Sequence, residues 1–176
     1  MKSIFQTLAL LSCLLCSPIL AAQEFDMVIL NGHVIDAKNG IDSKMDIAIK
    51  NGRIAAVSKK IAPTQGKVVV NAEGLVVTPG LIDMHSHNFH GTEPDSYLSN
   101  SFTALPPDGF TFRNGVTTIV DVGGAGWRNF RQFKSQTIDR SKTRVLAFLN
   151  IIGSGMKGGV IEQNLDDMNP KLTALV

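Results

Sequence analysis

The segment that decides the fold is VVTPGLIDMHSHNFHGT (residues 76–92), an apolar run that ends in histidines. In a β-strand, residues two apart share a face, so Asp83, His85 and His87 point the same way. That face begins with Leu81 and changes from apolar to imidazole towards the end of the strand. Two imidazoles about 7 Å apart at their Cβ atoms can tilt onto one ion, because Zn–N bonds are about 2.0–2.1 Å long. The segment therefore predicts a strand that ends in a metal site formed by His85 and His87.

Residues 1–22 have the features of a secretory signal peptide: one positive charge, an apolar stretch, and small residues at the end. The apolar run is too short for a transmembrane helix, so we predict no membrane span. Cleavage after Ala21 or Ala22 would export the chain to the periplasm or the medium. A lipoprotein anchor at Cys13 is the alternative, because residues 10–13 (LLSC) loosely resemble a bacterial lipobox.

Both cysteines, Cys13 and Cys16, lie in this leader, so an exported chain would have none and could form no disulfide. It would depend on an ordinary core or on a metal. The formal net charge is +2, and Lys2 is the one charged residue of the leader, so the remainder is close to neutral. This balance gives no indication of nucleic-acid or anionic-membrane binding. We expect a small-molecule substrate as partner, and a homo-oligomer stays open.

Residues 26–78 consist of short apolar runs separated by turn signals. Asn31-Gly32 and Asn51-Gly52 stand directly between apolar runs, which is the strongest short signal for a β-hairpin. Asn39-Gly40 marks a further turn. We therefore predict that residues 23–78 form an antiparallel module, part of a small β-sandwich domain. A module of this length buries little core by itself and would need partner strands from elsewhere.

After Pro79 the pattern changes to strands alternating with helices, with an irregular stretch at 91–105. We predict strands at 80–87, 116–122 and 144–152, helices at 106–113, at 128–139 and from 170 onwards, and glycine loops at 123–126 and 153–159. This α/β alternation with short connections predicts parallel βαβ units, in an open sheet or in a closed (β/α)8 barrel. A barrel needs about 250 residues, so residues 79–176 would hold its first three βα units. The last residues halt in an apolar helical pattern without a cap, so we expect an N-terminal fragment of a longer protein.

The stretch PGLIDMHSH (79–87), placed after a hairpin-rich module, resembles the amidohydrolase superfamily. NGRI (51–54) and VVTPG (76–80) resemble the same family's entry. The resemblance implies a β-sandwich piece followed by a (β/α)8 TIM barrel whose first strand carries His85 and His87. It also implies that these two histidines hold a divalent metal, usually zinc, with one or two ions in the intact enzyme, and that activated water hydrolyses an amide or ester bond.

The rest of that family's site is a carboxylated lysine, two further histidines and an aspartate, none of which can be assigned in this sequence. After His90 the chain has no histidine, and Lys157 and Lys171 do not fall at the end of a fourth strand. The resemblance therefore places the catalytic residues beyond Val176. We expect this polypeptide alone to bind metal poorly and to be inactive.

GVTTIVD (115–121), followed by GGAGWRNF (123–130), resembles the deacetylase-like metallohydrolases of this superfamily, often labelled dihydroorotase-like. Dihydroorotases themselves have an arginine two residues after the second signature histidine, where this chain has Phe89. They also have a Met-Pro-Asn-Thr type segment where this chain has VGGA (122–125). The resemblance thus favours hydrolysis of a non-peptide C–N bond or an ester, such as an N-acetyl or O-acetyl group. A cyclic-amide hydrolase of the dihydroorotase or hydantoinase type is the alternative, and a non-catalytic exported binding module is the third reading.

Four other polar residues are weighed against structural roles. Asp83 either orients a metal ligand or makes an ordinary hydrogen bond. His90 either reaches substrate or is a solvated loop histidine, and His33 is interpreted as structural. Asp121 ends the second predicted strand, on the side of a barrel where sites are found.

The loop GSGMKGG (153–159) contains a literal G-x-G-x-x-G, which is typical of dinucleotide sites. That fingerprint also requires a helix that opens at once and an acidic residue after a second strand. Residues 164–170 are instead polar and end in a proline. We interpret the loop as a flexible segment at the barrel mouth and predict no nucleotide cofactor.

Overall fold

A computed structural model of the chain describes residues 23–100 and 103–176. The leader at 1–22, with its predicted cleavage site and Cys13, lies outside the described residues. The described chain divides after Pro79 into two compact units, and each is considered by itself. Among the described residues, no helix has both the length and the apolarity needed to cross a lipid bilayer.

The first unit is a mixed β-sheet with one long central strand. Its strands are β1 (Phe25–Asp36), β2 (Ile41–Lys50), β3 (Arg53–Ser58), β4 (Gly66–Asn71) and β5 (Val76–Val77). Short 3-10 helices lie at Ala37–Asn39 and Pro63–Gln65. The order across the sheet is β3-β2-β1-β4, and β5 also pairs with β1.

The prediction of a wholly antiparallel module is wrong for β4 and β5. Both pair with β1 in the parallel direction, whereas β1–β2 and β2–β3 are antiparallel. The reason lies in the connection from Ser58 to Gly66, which carries the chain from the outer edge of β3 to the free edge of β1. A crossover of this kind delivers a parallel strand, while a tight hairpin cannot.

The predicted hairpin at Asn31-Gly32 is also wrong, because β1 runs straight through it. Asn31 has a φ of 64°, and the β1–β2 register shifts between Ile29 and Gly32, so the pair forms a bulge. The buried Asp46 carboxylate holds the bulge by accepting the Asn31 N–H at 2.7 Å. Gly32 is required by crowding, since a Cβ there would lie 2.6 Å from a Val77 methyl group.

The hairpin at Asn51-Gly52 is confirmed. It joins β2 to β3, with φ of 52° at Asn51 and 69° at Gly52, the two positive values that a type I′ turn requires. The turn at Asn39-Gly40 is confirmed as well, and it joins β1 to β2 through the 3-10 helix. The core of this unit is small and contains Val28, Ala48 and Ile61. Val68, Val69 and Val70 of β4 remain exposed, as expected for a module with little core.

The second unit contains a three-stranded parallel sheet in the order β6-β7-β8. The strands are β6 (Leu81–Ser86), β7 (Val116–Gly126) and β8 (Arg144–Asn150). The helices are α1 (Pro107–Phe110), α2 (Phe130–Gln136), α3 (Gly159–Glu162) and α4 (Pro170–Leu175), with 3-10 helices at Phe112–Asn114, Ile138–Arg140 and Leu165–Asp167. The predicted βαβ order is thus confirmed, and within residues 23–100 and 103–176 no further strand joins this sheet.

Two helix ends in this unit carry residues suited to their positions. Gly115 adopts the left-handed conformation, with φ of 70°, and ends the 3-10 helix that follows α1. Asn169 caps α4 by accepting the Leu172 N–H, with Pro170 in the first turn.

The predicted glycine loop at 123–126 is wrong, since β7 continues to Gly126, which pairs with Asn150. Glycine is needed there for close approach rather than for a turn. A Cβ on Gly126 would lie 1.8 Å from the carbonyl oxygen of Ile152. The loop at 153–159 packs against this same strand end, where the Met156 N–H donates to the Gly123 oxygen at 2.8 Å.

The core of the second unit lies between the sheet and α2. Its buried members are Phe89, Ile119, Ala125, Phe133 and Val145. Residues that alternate with these along β8 face the other way, and Leu146 and Phe148 remain 43% and 62% exposed. The packed face fixes the strands whose carboxyl ends carry the site.

Candidate metal centre

His85 lies near the end of β6, and His87 lies just beyond it. Their ring centroids are 5.6 Å apart with the ring planes at 87°. Two imidazoles bound tetrahedrally to one zinc ion at about 2.1 Å would have centroids about 5 Å apart. The observed spacing therefore fits two nitrogen ligands of a common ion, as the strand pattern predicts.

Both histidines line one cavity of about 460 Å³ within the second unit. Its wall also contains Asp83, Ser86, Asn88, Thr103, Leu105, Pro106, Pro107, Phe110, Thr111, Asn114, Val116 and Ile119. The histidines and Asp83 supply the titratable groups of this wall, and the rest is mostly apolar or uncharged. A small ligand entering the cavity would meet the imidazole rings directly.

Asp83 shares the cavity with the histidines. One of its carboxylate oxygens accepts the main-chain N–H of His85 at 3.0 Å. This is the ordinary hydrogen bond that the sequence left open as one alternative. Asp83 thereby steadies the strand just before the first histidine.

His90 departs from the prediction of a solvated loop histidine, because it is buried. Its Nδ1 donates to the Asn88 carbonyl at 2.8 Å, and its ring lies edge-on to Tyr97 at 5.3 Å. The Gln136 side chain donates to the His90 carbonyl at 2.6 Å. These contacts hold the segment after β6 to itself and to α2, and His90 does not line the cavity of the other two histidines.

His33 lies in the first unit, exposed on β1, where its Nε2 is 2.6 Å from Asp42 across the β1–β2 pair. This pairing agrees with its interpretation as structural. Lys171 is exposed at the start of α4. Lys157 Nζ is 3.0 Å from Glu93 and 3.4 Å from the Asn100 side-chain oxygen, in the loop after β8. Neither lysine lies at the end of a strand, since Lys157 comes seven residues after β8 and Lys171 lies in α4.

Asp121 is fully buried on β7, at the position paired with Ser86. One carboxylate oxygen accepts the Asn88 N–H and the other accepts the Gly124 N–H, both at 2.6 Å. Burial raises the pKa of Asp121, and the two N–H groups and the nearby His87 ring only partly offset that rise. The sequence placed Asp121 near the site, and the structure adds that it bonds to the chain directly after His87.

Two buried asparagines of this region were missed by sequence reasoning. The Asn88 side chain donates to the Leu105 carbonyl at 3.1 Å and lies 2.6 Å from the Ser86 hydroxyl. Asn100 bonds to Thr92 of its own segment after β6, to the Gly124 carbonyl of β7 and to Lys157 of the loop after β8. Asn88 could have been found from its place beside His87, but the role of Asn100 depends on contacts far apart in the sequence.

Within residues 23–100 and 103–176, no three His, Cys, Asp or Glu side chains lie together as a metal-holding group. His85 and His87 fit a metal in chemistry and spacing, but they supply two ligands where zinc sites commonly have three or four. Among the described residues, these two histidines alone would not complete a zinc site.

Comparisons with known proteins agree with this architecture. The N-terminal domain of the urease alpha subunit matches residues 16–81. A deacetylase of Brucella anthropi is 34% identical over 116 residues, covering 65% of this chain and 27% of that protein. A dihydroorotase of Geobacter sulfurreducens is 50% identical over 87 residues, covering 49% of this chain and 20% of that protein. A solved dihydroorotase structure aligns with a TM-score of 0.69 at 27% identity, covering 85% of this chain and 38% of that one.

The chain is similar in sequence and fold to dihydroorotase-like members of the amidohydrolase superfamily. It spans less than a third of the length of both curated relatives named above.

Proposed function

We propose that this chain forms one wall of the active site of a metal-dependent hydrolase. The reaction is cleavage of a non-peptide C–N bond or an ester, such as an N-acetyl or O-acetyl group. His85 and His87 would hold a divalent cation, with zinc as the first choice for imidazole ligands. The chemistry supplied by such an ion is polarisation of a carbonyl and activation of water for attack.

The observation that carries this proposal is the pair of imidazole rings, 5.6 Å apart, on the wall of one cavity. Their place at the end of β6 puts them at the carboxyl end of a parallel strand, which is where α/β enzymes bind their ligands. The chain would orient the imidazole rings of His85 and His87, and the apolar part of the cavity wall would exclude water from around the substrate.

The surroundings of position 89 support an acetyl-type substrate over a cyclic amide that bears a carboxylate. Phe89 is 1% exposed and packs with Phe133 at a ring distance of 5.0 Å. It is a core residue, so this position offers no cation to a negatively charged ligand. The similarity to a deacetylase points the same way.

The second candidate is a cyclic-amide hydrolase of the dihydroorotase or hydantoinase type. It is favoured by the 50% identity to a dihydroorotase over 87 residues. The two candidates share the metal and the class of bond, and they differ in the shape and charge of the substrate. Parallel assays of N-acetylated amino acids and of dihydroorotate would separate them.

Export through the leader at 1–22 is also a proposal. Sequencing the N-terminus of protein purified from its own host would test it. A start at Ala22 or Gln23 is expected, whereas a lipid-modified Cys13 would point to an anchor. An N-terminus at Met1 would contradict both.

The proposal is tested with protein expressed from the complete reading frame, because the chain spans only part of its relatives. Zinc content and hydrolysis of N-acetylated substrates are measured for the wild type and for a His85→Ala/His87→Ala variant. The variant should lose both. His33→Ala is the matched control and should keep both, because His33 lies on the first unit's β1. Full zinc and activity in the double variant would refute the assignment.

A further inference from the structure

We propose that Asp121 is a positioning residue that holds His87 in place through the backbone, without touching the substrate itself. The proposal rests on the proposed function, because it assigns Asp121 to the same histidine site. Its basis is the way β7 binds the residues on both sides of His87.

The first tie is made by the Asp121 carboxylate, which is 0% exposed. Its Oδ2 accepts the N–H of Asn88, the residue directly after His87, at 2.6 Å. Its Oδ1 accepts the N–H of Gly124, near the end of its own strand, also at 2.6 Å. The carboxylate therefore connects the end of the histidine segment to the end of β7.

The second tie lies on the other side of His87. The Ser86 hydroxyl is 3.0 Å from the Val120 carbonyl of β7 and 2.6 Å from the Asn88 side-chain oxygen. The Asn88 amide in turn donates to the Leu105 carbonyl at 3.1 Å. Both neighbours of His87 are thus fixed to surrounding backbone, although His87 itself lies outside the regular strand.

A carboxylate suits this position better than its amide analogue. Both Asp121 oxygens act as acceptors, whereas asparagine would present one acceptor and one NH2 group to two N–H donors. One buried N–H would then lose its partner, and the chain beside His87 would shift to find another. Gly124 fits the same arrangement, since a Cβ there would lie 2.7 and 2.8 Å from the two Asp121 oxygens.

Asp108 provides a matched control elsewhere in the same unit. Its two oxygens accept the N–H groups of Lys142 and Thr143, each at 2.9 Å, and join α1 to the start of β8. Asp108 does not line the histidine cavity. Loss of its carboxylate should therefore affect folding without moving the histidines.

The test uses protein from the complete reading frame and compares Asp121→Asn with Asp108→Asn. Zinc affinity is measured by competition with a chromophoric chelator, and the cobalt-substituted proteins are compared by visible absorption. We expect Asp121→Asn to bind zinc about 10- to 100-fold more weakly and to alter the cobalt spectrum. Asp108→Asn should keep the wild-type affinity and spectrum, even if its melting temperature falls.

Three outcomes decide the matter. Wild-type affinity and spectrum in Asp121→Asn, with zinc lost in His85→Ala/His87→Ala, would overturn this inference alone. Equal zinc binding by the wild type and the double histidine variant would overturn the proposed function and this inference together. If Asp121→Asn does not fold, Ser86→Ala replaces it, and its zinc affinity should fall by about fivefold. An unchanged zinc affinity in Ser86→Ala would contradict the proposal.

Discussion

Asp121 and Asp108 hold the main chain in similar ways but lie in different surroundings, and the contrast distinguishes the candidate site from its scaffold. Each carboxylate accepts two main-chain N–H groups and joins two elements of the second unit. Asp121 does so in the interior beside His87, where burial raises its pKa. For Asp108, partial burial is outweighed by the Lys142 and Thr143 N–H groups and the Thr143 hydroxyl, which hold the pKa below its usual range.

The number of hydrogen bonds that a carboxylate accepts does not by itself decide how much it contributes to the structure. Asp108 has an additional bond from the Thr143 hydroxyl at 2.9 Å, yet it is only partly buried. Water can replace some of its bonds when they are lost. Water cannot reach the donors around Asp121 without opening the core, so this carboxylate has the larger effect on structure.

The largest expected effect is that of Asp121→Ala. It leaves the Asn88 and Gly124 N–H groups without their acceptor and should lower the free energy of unfolding by about 4 kcal/mol. Asp108→Ala should cost about 1.5 kcal/mol, because its donors lie nearer to water. Urea unfolding followed by circular dichroism checks both values. Equal losses would remove the distinction between the two aspartates.

The next largest effect is expected for Gly124→Ala, which should lower the free energy of unfolding by about 2 kcal/mol. Its Cβ would lie within 2.8 Å of both Asp121 oxygens and would have to displace the carboxylate. The same unfolding measurement applies. A neutral result would show that the carboxylate can move freely, and would weaken the positioning role.

A smaller effect is expected for the pH dependence of stability at Asp108. Because the pKa of Asp108 is lowered by folding, its contribution is complete above the unfolded pKa of about 3.9 and disappears as pH falls through the folded pKa. As pH is lowered from 6 through the folded pKa of Asp108, the unfolding free energy of the wild type should therefore fall by about 1 kcal/mol more than that of Asp108→Asn. Unfolding free energies measured across that range, parallel for the two proteins, would contradict this assignment.

The smallest effect is expected at Gly109, the neighbour of Asp108 in α1. A Cβ there meets nothing within 4 Å, so Gly109→Ala should stabilise the protein by about 0.5 kcal/mol. Thermal unfolding should register a small rise in melting temperature. A clear fall would mean that the surroundings of Asp108 are as crowded as those of Asp121.

Much of the fold could be predicted from local chemistry. The alternation after Pro79 correctly gave three parallel strands, and Asn51-Gly52 correctly gave a hairpin. Asn31-Gly32 has the same two residues but forms a bulge, because β1 there is paired on one side with β2 and flanked on the other by β4 and β5. Long-range pairing overrode a strong local signal, and no feature of residues 31–32 alone indicates it.

The residues of the candidate site also differ in how far the sequence predicts their arrangement. His85 and His87 could be found from their spacing, because strand geometry alone brings the two rings to one side. The buried state of His90 and the bonding of Asp121 to Asn88 depend on which strands become neighbours. Sequence spacing of 33 residues between Asn88 and Asp121 gives no indication of that contact.

Zinc X-ray absorption spectroscopy on protein from the complete reading frame tests most directly whether His85 and His87 hold the metal. The wild type should show imidazole scattering with Zn–N distances of about 2.0–2.1 Å. In the His85→Ala/His87→Ala variant, two imidazoles should disappear from the zinc environment, or the zinc itself should be lost. An unchanged imidazole count at full zinc occupancy in that variant would contradict the account.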